Sequence, residues 1–538
     1  MRVIEILDNQ TNRTYKLCEQ SSNWIKYSDN ITSLTCIVGK NGSGKTRFIN
    51  SILHLDNRFE LKTEGETDRK ISIIKYSGAV ELHKNNEIPD YSYDISTSFL
   101  LSQKSLTELN RNDSIHQVGV AIVFFEKFKE LIEFSNKLVN IKLTDSGNAI
   151  YTLGERYLSG ISKESDLKKI IKKAAIQPKN IMLVLSKKFI SILLDLLHYY
   201  DALIDDDVLK LIEEGIDFAN FQPKEDFYAN IIDYLKKVNL VAESEIDIES
   251  IVYKLKQFFK DINFFIEGYK ESFEISKESD RNILKEYVRM MTDENSRSSI
   301  SRQVLSLIEF EWNGLSSGEL TLLNLFGRLH GVKAKVQDDI LLLIDEVDLG
   351  LHPEWQRRWV SEVLPLIGEI LRTKNSFLQV IISTHSPIIL SDIFDKDIIL
   401  LTDKSNSKTF GQNIYRLFQD SFFLDEARGG FSTKLIGDLL HLCSTLDPNS
   451  QKIGTTELRE FSSKYDIRIE EQSEEAIYEY LLKIVDSIGE DVLRNHLKRQ
   501  LKVIEYNFTL GDDSKDEIVR LKKRVKELEK ELKNDKDI

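Results

Sequence analysis

Cysteine is scarce in this chain: three among 538 residues (Cys18, Cys36 and Cys443), none in C-x-x-C spacing. That excludes a disulfide framework and a thiolate zinc site, and it fits a reducing cytosol, so a cytoplasmic protein is expected. Proline is nearly as thin, at seven residues, and no Gly/Ser-rich linker occurs. Compact units joined by helices are therefore expected rather than beads on a flexible string. No run of 18 or more apolar residues appears, which argues against a membrane-spanning helix. The N-terminal stretch MRVIEILDNQTNRTYKL lacks the basic, apolar and small-residue layout of a secretory signal. An excess of positive charge is missing too. The formal net charge of −14 argues against a protein that coats nucleic acid along its whole surface, while leaving room for a local basic groove.

What is present is ordinary globular material, 41% hydrophobic and 30% charged, long enough for two or three folding units. The first informative stretch runs from residue 31. A short apolar, β-rich run, Leu34 to Val38, leads into Gly39-Lys40-Asn41-Gly42-Ser43-Gly44-Lys45-Thr46 and then into helix-like RFINSIL. This is G-x-x-x-x-G-K-[ST] in the order strand, loop, helix that gives the motif its meaning. The glycines let backbone N–H groups turn inward around a phosphate, and the helix N-terminus adds partial positive charge. Lys45 is placed to reach the β- and γ-phosphates of a nucleotide, and the Thr46 hydroxyl to hold Mg²⁺.

Three further pieces follow in order. Leu315-Ser316-Ser317-Gly318-Glu319 opens the helical pattern LTLLNLFGRL. Its hydroxyls and glycine N–H at a helix start suit a phosphate, although the same residues make a good capping box. Next, Asp339-Ile340-Leu341-Leu342-Leu343-Ile344-Asp345-Glu346 describes a buried parallel strand with two acids at its C-terminal end, where ligands bind in α/β sheets. Asp345 is the candidate Mg²⁺ ligand, and Glu346 the candidate general base for an attacking water. Finally, Phe377 to Ser383 reads as another buried strand, ending in Thr384-His385-Ser386-Pro387.

These four motifs, in this order, resemble the ABC class of ATPases. The resemblance implies a composite site. Gly39, Asn41, Gly42, Ser43, Gly44, Lys45 and Thr46 would cradle ATP, and Thr46 and Asp345 would hold Mg²⁺. Glu346 and His385 would serve hydrolysis, His385 as the switch that senses the γ-phosphate. The signature Ser316, Ser317, Gly318 and Glu319 would act in trans on ATP held by a second copy. Val347 to Pro353 resembles the D-loop that packs across such a dimer. The Q-loop is open between Gln103 in LLSQKSL and Tyr76-Ser77 in ISIIKYSGAV.

Residues 105–300 lie between the phosphate loop and the signature, far more chain than a compact transporter subunit requires. Apolar residues recur there at three and four, as in VAIVFFEKFKELIEFSNKLV and YKLKQFFKDINFFIEGY, which predicts amphipathic helices with a face to bury. They are too short and irregular for a long coiled coil. The expected fold is α/β: an ABC-type ATPase head, a mixed sheet flanked by helices, with a large inserted helical lobe and a helical C-terminal region. The expected divisions are 1–104 for the N-terminal ATPase lobe, 105–305 for the inserted lobe, 306–425 for the C-terminal ATPase lobe and 426–538 for the helical end.

This plan resembles the RecF, OLD and SMC branch. The run Thr409-Phe410-Gly411-Gln412-Asn413-Ile414 to Leu424, and the later Ile488 to Leu497, look like segments of the Septu-type PtuA defence ATPases, a family that also serves some retrons. That resemblance implies an antiphage ATPase that forms homo-oligomers and controls an HNH nuclease partner, with a reverse transcriptase and its msDNA as further partners in a retron setting. No HNH zinc pattern is found among the nine histidines and three cysteines. Asp512 and Asp513 precede a helix, where acids serve its N-terminus, so the chain is not expected to be a nuclease itself. The alternative function is a RecF- or SMC-like repair ATPase acting directly on DNA. The basic run Lys168-Lys169 and Lys172-Lys173, continuing to Lys179 and Lys187-Lys188, is either a solvated face or a local nucleic-acid patch. Ile518, Leu521, Val525, Leu528 and Leu532 form a short a/d stripe that either docks on its own domain or meets a partner.

Overall fold

The computed structural model describes residues 2–17, 26–40, 42–54, 59–64, 69–79, 88–104, 106–143, 169, 181–199, 206–218, 220–242, 247–292, 300–336, 338–372, 376–401, 408–420, 428–445, 455–465, 474–509, 520 and 524. Residues 1–423 and 424–538 form two compact units.

The first unit is organised by the strand Asp339–Asp345, buried at all seven positions. A strand apolar on both faces needs a neighbour on each edge and cover above and below. Its edges pair in parallel with Ile71–Ser77 and Leu378–Ser383. The sheet is completed as Ile398–Leu400, Ser33–Val38, Leu378–Ser383, Asp339–Asp345, Ile71–Ser77 and Ser92–Asp94, six strands all parallel. The period-2 alternation of side chains splits these strands between two cores. Ile37, Ile73, Leu341, Leu343 and Ile381 face the helix Lys45–His54 and the antiparallel sheet made by Arg2–Asp8, Arg13–Lys16 and Phe59–Glu64. Buried Gln379 ties that small sheet on: its amide accepts from the Val3 N–H at 2.6 Å and donates to the Val3 carbonyl at 2.7 Å.

Cys36, Val38, Ile74, Leu342 and Ile344 face the other way, into a core shared with the helical segments between 106 and 371. The helix Leu106–Val123 packs along the helix Ser317–Val332, and the strand Leu138–Leu143 pairs antiparallel with both Ile308–Asn313 and Ser272–Glu274. Residues on both sides of position 305 therefore share one sheet and one core. Further out, the helices Ile181–Tyr199 and Ile248–Gly268 join through aromatic rings, with Phe189 stacked on Phe258 at 4.4 Å. Lys187 of the basic run is buried within this packing at 7% exposure, so it is unavailable to a phosphate backbone. Apart from Lys169, the residues of that run from Lys168 to Lys179 lie outside the described residues.

The second unit is helical: Gly430–Thr445, Thr455–Tyr465, Glu474–Asp486 and Asp491–Thr509 enclose Leu439, Phe461, Leu481, Val485 and Leu497. The a/d stripe from Ile518 to Leu532, and Asp512 and Asp513, lie outside the described residues. Among the described residues no helix is long and apolar enough to cross a membrane.

One buried ion pair fastens the signature helix to the sheet. Arg328 grips Asp113 through two bonds, at 3.0 and 2.6 Å, and its remaining nitrogen donates to the Ile95 carbonyl and the Thr97 hydroxyl. Both side chains are nearly closed to water, at 6% and 11% exposure. Removing one partner leaves the other charge buried without its counter-ion. Asp113→Ala is expected to cost about 3–5 kcal/mol, read as a lowered denaturant midpoint, while breaking the exposed surface pair Lys129–Glu126 should leave that midpoint nearly unchanged.

Candidate functional site

The strand Ser33–Val38 is buried from Leu34 onward and delivers the chain to Gly39 at the carboxyl edge of the sheet. The loop then turns through Gly42 at φ +78° and Gly44 at φ +93°, backbone that side-chain-bearing residues rarely adopt. A Cβ at either position would meet nothing within 4 Å, so the glycines are required for conformation and leave open space above the loop. At Gly39 the demand is steric, since a Cβ would lie 2.5 Å from the Ser43 hydroxyl. Asn41 lies outside the described residues. The helix Lys45–His54 starts directly from the loop, with the Phe48 N–H on the Gly44 carbonyl at 2.8 Å. Lys45 folds back over its own loop and donates to the carbonyls of Gly39 at 3.0 Å and Lys40 at 3.3 Å. Burial pulls its ammonium below lysine's usual pKa, against the carboxylates of Asp345, Glu346 and Asp348, which favour the charge.

Those carboxylates converge because two parallel strands end side by side. Ile344 is in register with Ile382, so Asp345 and Ser383 leave the sheet together. The Ser383 hydroxyl donates to Asp345 Oδ1 and accepts from the Glu346 N–H at 2.9 Å, and the Ser383 carbonyl accepts from the Val347 N–H at 3.0 Å. Glu346 sits at φ +53°, a left-handed conformation that costs a non-glycine residue about 1–2 kcal/mol. Asp348 then accepts from the Thr384 hydroxyl at 2.6 Å and from the His385 N–H at 2.9 Å, which fixes the turn carrying the imidazole. Burial, aided by the Lys45 charge and opposed by Asp348 and Asp345, holds His385 below its ordinary pKa.

Asp345 is 1% exposed, and its Oδ2 atom is buried with no hydrogen-bond partner. A bare carboxylate oxygen at that depth is costly unless a cation meets it. Half-buried Thr46 brings a hydroxyl to the cleft lined by Lys45, Glu346 and His385, whereas Asp345 is too deeply buried to be part of that lining. Among the described residues no group of three or more His, Cys, Asp or Glu side chains could form a protein-only metal cage. One carboxylate and one hydroxyl, completed by water and phosphate, is the donor set Mg²⁺ accepts, so these residues fit that ion.

Gly42 to Phe48, Glu346 and His385 line one cleft of about 1000 Å³. The same cleft has a wall that sequence reasoning missed: Asp8, Arg13 and Tyr15, from the antiparallel strands near the N-terminus, and Thr11 from the turn that joins them. Tyr15 packs edge-on to Phe48 of the loop helix, with ring centroids 5.2 Å apart. No spacing rule points to these residues, because only the packing of Arg2–Asp8 beside the sheet brings them over the phosphate loop.

None of Ser316, Ser317, Gly318 or Glu319 lines that cleft. Ser316 caps the helix Ser317–Val332 in a full capping box with Glu319, whose carboxylate also accepts from Lys137 at 3.0 Å. Burial works against the Glu319 charge, but the Ser316 N–H and Lys137 outweigh it and hold the carboxyl below its usual range. Glu319 is thus committed within its own chain, while Ser316 and Ser317 are exposed. Gly318 is buried against Trp355, where a Cβ would come within 3.1 Å of the indole. The exposed Leu320 and Leu349 belong to the signature and D-loop segments, and Gly350 lies close to Thr321 of the signature helix. Of the two Q-loop candidates, Ser77 is in register with Asp345, whereas Gln103 is exposed at the end of the helix Thr97–Gln103.

Comparison with known proteins agrees with this architecture. Over 427 residues the chain is 24% identical to a protein named Retron Vc95 probable ATPase from Vibrio cholerae serotype O1 biovar El Tor, spanning 72% of this chain and 74% of that one. It is 29% identical over 168 residues to the Septu protein PtuA of Bacillus thuringiensis, spanning 31% of this chain and 37% of the relative. Residues 59–391, more than half of the chain and including the helix Ser317–Val332, the strand Asp339–Asp345 and His385, match a family described as AAA domain, putative AbiEii toxin, Type IV TA system, and the chain belongs to that family of AAA-domain ATPases.

Proposed function

We propose that this chain binds ATP with Mg²⁺ in the cleft above its phosphate loop and hydrolyses it in a sandwich of two copies. The observation that carries the reading is the convergence of Asp345, Glu346 and His385, at adjoining strand ends, on Lys45 at the start of the loop helix, beside a loop whose two left-handed glycines leave room for phosphates. Inward-turned N–H groups and Lys45 would bind the β- and γ-phosphates. Mg²⁺ held by Thr46 and Asp345 would neutralise charge on the phosphate oxygens. Glu346 would take the proton of the attacking water as the bond from the γ-phosphorus to its bridging oxygen breaks and ADP leaves. His385 would hydrogen-bond the γ-phosphate from its ring nitrogen. Ser316 and Ser317, exposed and away from the cleft of their own chain, suit ATP held by a second copy, with buried Gly318 shaping the turn between them and the helix and with Leu320 and Leu349 as apolar parts of the contact.

At the level of biology, the reading is an ATPase subunit of an antiphage system of the Septu or retron kind. Its nucleotide state would hold or release an HNH nuclease. The support is the likeness to a retron ATPase and to a Septu protein, together with the sequence resemblance at residues 409–424 and 488–497. Purified alone with Mg²⁺ or Mn²⁺, the chain should leave DNA and RNA intact, and cleavage should appear when an HNH protein encoded beside it is added. Cleavage by the chain alone that survives repurification would overturn this division of labour.

Lys45→Ala should weaken binding of an ATP analogue by about two orders of magnitude, the scale of losing one partner of a buried charge pair. Glu346→Gln keeps shape but loses the base, so hydrolysis should fall by about 10²–10⁴-fold with analogue affinity retained. That variant should also accumulate the ATP-bound dimer in mass measurements, and wild-type turnover in it would reject the role. A Lys45→Ala chain mixed with a Ser317→Arg chain should regain part of the lost activity, since one site in each mixed dimer is intact. Mixed dimers no more active than either variant would instead mean that sites close in cis.

A further inference from the structure

Ser383 stands outside the residues assigned to the site above, yet it touches three successive positions of the acidic turn. Its hydroxyl donates to the Asp345 carboxylate and accepts from the Glu346 N–H, and its carbonyl accepts from the Val347 N–H. It is 0% exposed, at the last position of the strand Leu378–Ser383 and two residues before His385. We propose that Ser383 is a positioning residue that sets the metal-facing oxygen of Asp345 and the backbone of Glu346 with a single hydroxyl, which couples metal occupancy to placement of the base.

A serine hydroxyl has one proton and two acceptor sites. The proton goes to Asp345 Oδ1, which leaves Oδ2, buried and without a hydrogen-bond partner, as the oxygen that can meet a cation. One acceptor site takes the Glu346 N–H, which otherwise would be a half-buried donor in a turn already held at φ +53°. Rotation of the Asp345 carboxyl would break the first bond, and relaxation of Glu346 toward ordinary backbone would break the second. Both moves are therefore resisted by one atom, fixed to a strand that is buried at every position. Groups that orient metal ligands in this way typically change metal affinity or activity by about 10–100-fold when removed.

This inference rests on the proposed Mg²⁺–ATP reading, and the experiment separates the two. Mn²⁺ is titrated, by its electron paramagnetic resonance signal, into protein saturated with a non-hydrolysable ATP analogue, and analogue affinity is measured separately in EDTA. In Ser383→Ala the Mn²⁺ affinity should fall by about 10–100-fold while analogue affinity in EDTA stays at the wild-type level. Turnover should fall through kcat rather than KM, and Ser383→Thr, which keeps the hydroxyl, should recover most of both losses. Should the alanine variant fail to fold, the near-isosteric Ser383→Cys, with its weaker donor and acceptor, carries the test in the same direction. A folded alanine or cysteine variant with wild-type Mn²⁺ affinity overturns the proposal. So does parallel loss of Mn²⁺ and of metal-free analogue binding, or failure of both variants to fold, since each marks a merely structural serine. Wild-type protein that binds neither the analogue nor Mn²⁺ in its presence would instead sink the nucleotide-site reading itself.

Discussion

A strand buried along its whole length is the constraint on which this molecule turns. Asp339–Asp345 carries five aliphatic residues between two acids, and neither end tolerates disorder. At the amino end Asp339, 1% exposed, receives Arg69 at 2.7 Å and the Phe377 N–H at 2.8 Å, which aligns the neighbouring strands at the base of the sheet. At the carboxyl end Asp345 and Glu346 emerge where the parallel strands end together. Aliphatic burial of this kind stabilises by roughly 1.5–3 kcal/mol per fully buried side chain. The apolar run thereby holds in place two carboxylates that would otherwise repel one another and seek water.

Around that strand the polar groups form a chain of dependence rather than a set of separate contacts. Ser383 binds Asp345 and Glu346, while Asp348 binds Thr384 and His385, so each of two adjoining strand ends restrains the other. Ser386 continues the pattern by donating to Gln356 at 2.6 Å, which in turn donates to the Leu351 carbonyl. A network satisfied in this way holds side chains within the narrow tolerances that phosphoryl transfer demands. The left-handed Glu346 persists because the surrounding bonds over-determine it.

The same logic extends outward through Arg328. Its guanidinium joins the signature helix to Asp113 on one neighbouring helix, and to Ile95 and Thr97 at the edge of the sheet, and it lies 5.8 Å over the Tyr76 ring. The segments between the phosphate loop and the signature are consequently part of the head's own core. Movement of the signature helix would have to displace a buried charge, which favours its moving with the helix Leu106–Val123 as one piece.

The strands and loops of the nucleotide motifs are legible in the chain alone, because their signals are local. A phosphate loop needs its glycines between a strand and a helix within fourteen consecutive positions, Ser33 to Thr46, and the apolar run ending in Asp345 and Glu346 can only be an interior strand. The helical character of the middle and C-terminal segments was legible from periodicity for the same reason, and the α/β head from the resemblance of its motifs to the ABC class. Which distant residues share the cleft is set by packing alone. Arg13 and Tyr15 reach it because Arg2–Asp8 packs against Gln379, a contact between positions hundreds of residues apart. Lys187, read among the basic residues, is buried because helical packing rather than charge count sets exposure. Ser383 looks like any strand-end serine until register aligns it with Asp345. Pairing across a sheet is a non-local choice, and one sequence read from end to end does not contain it explicitly.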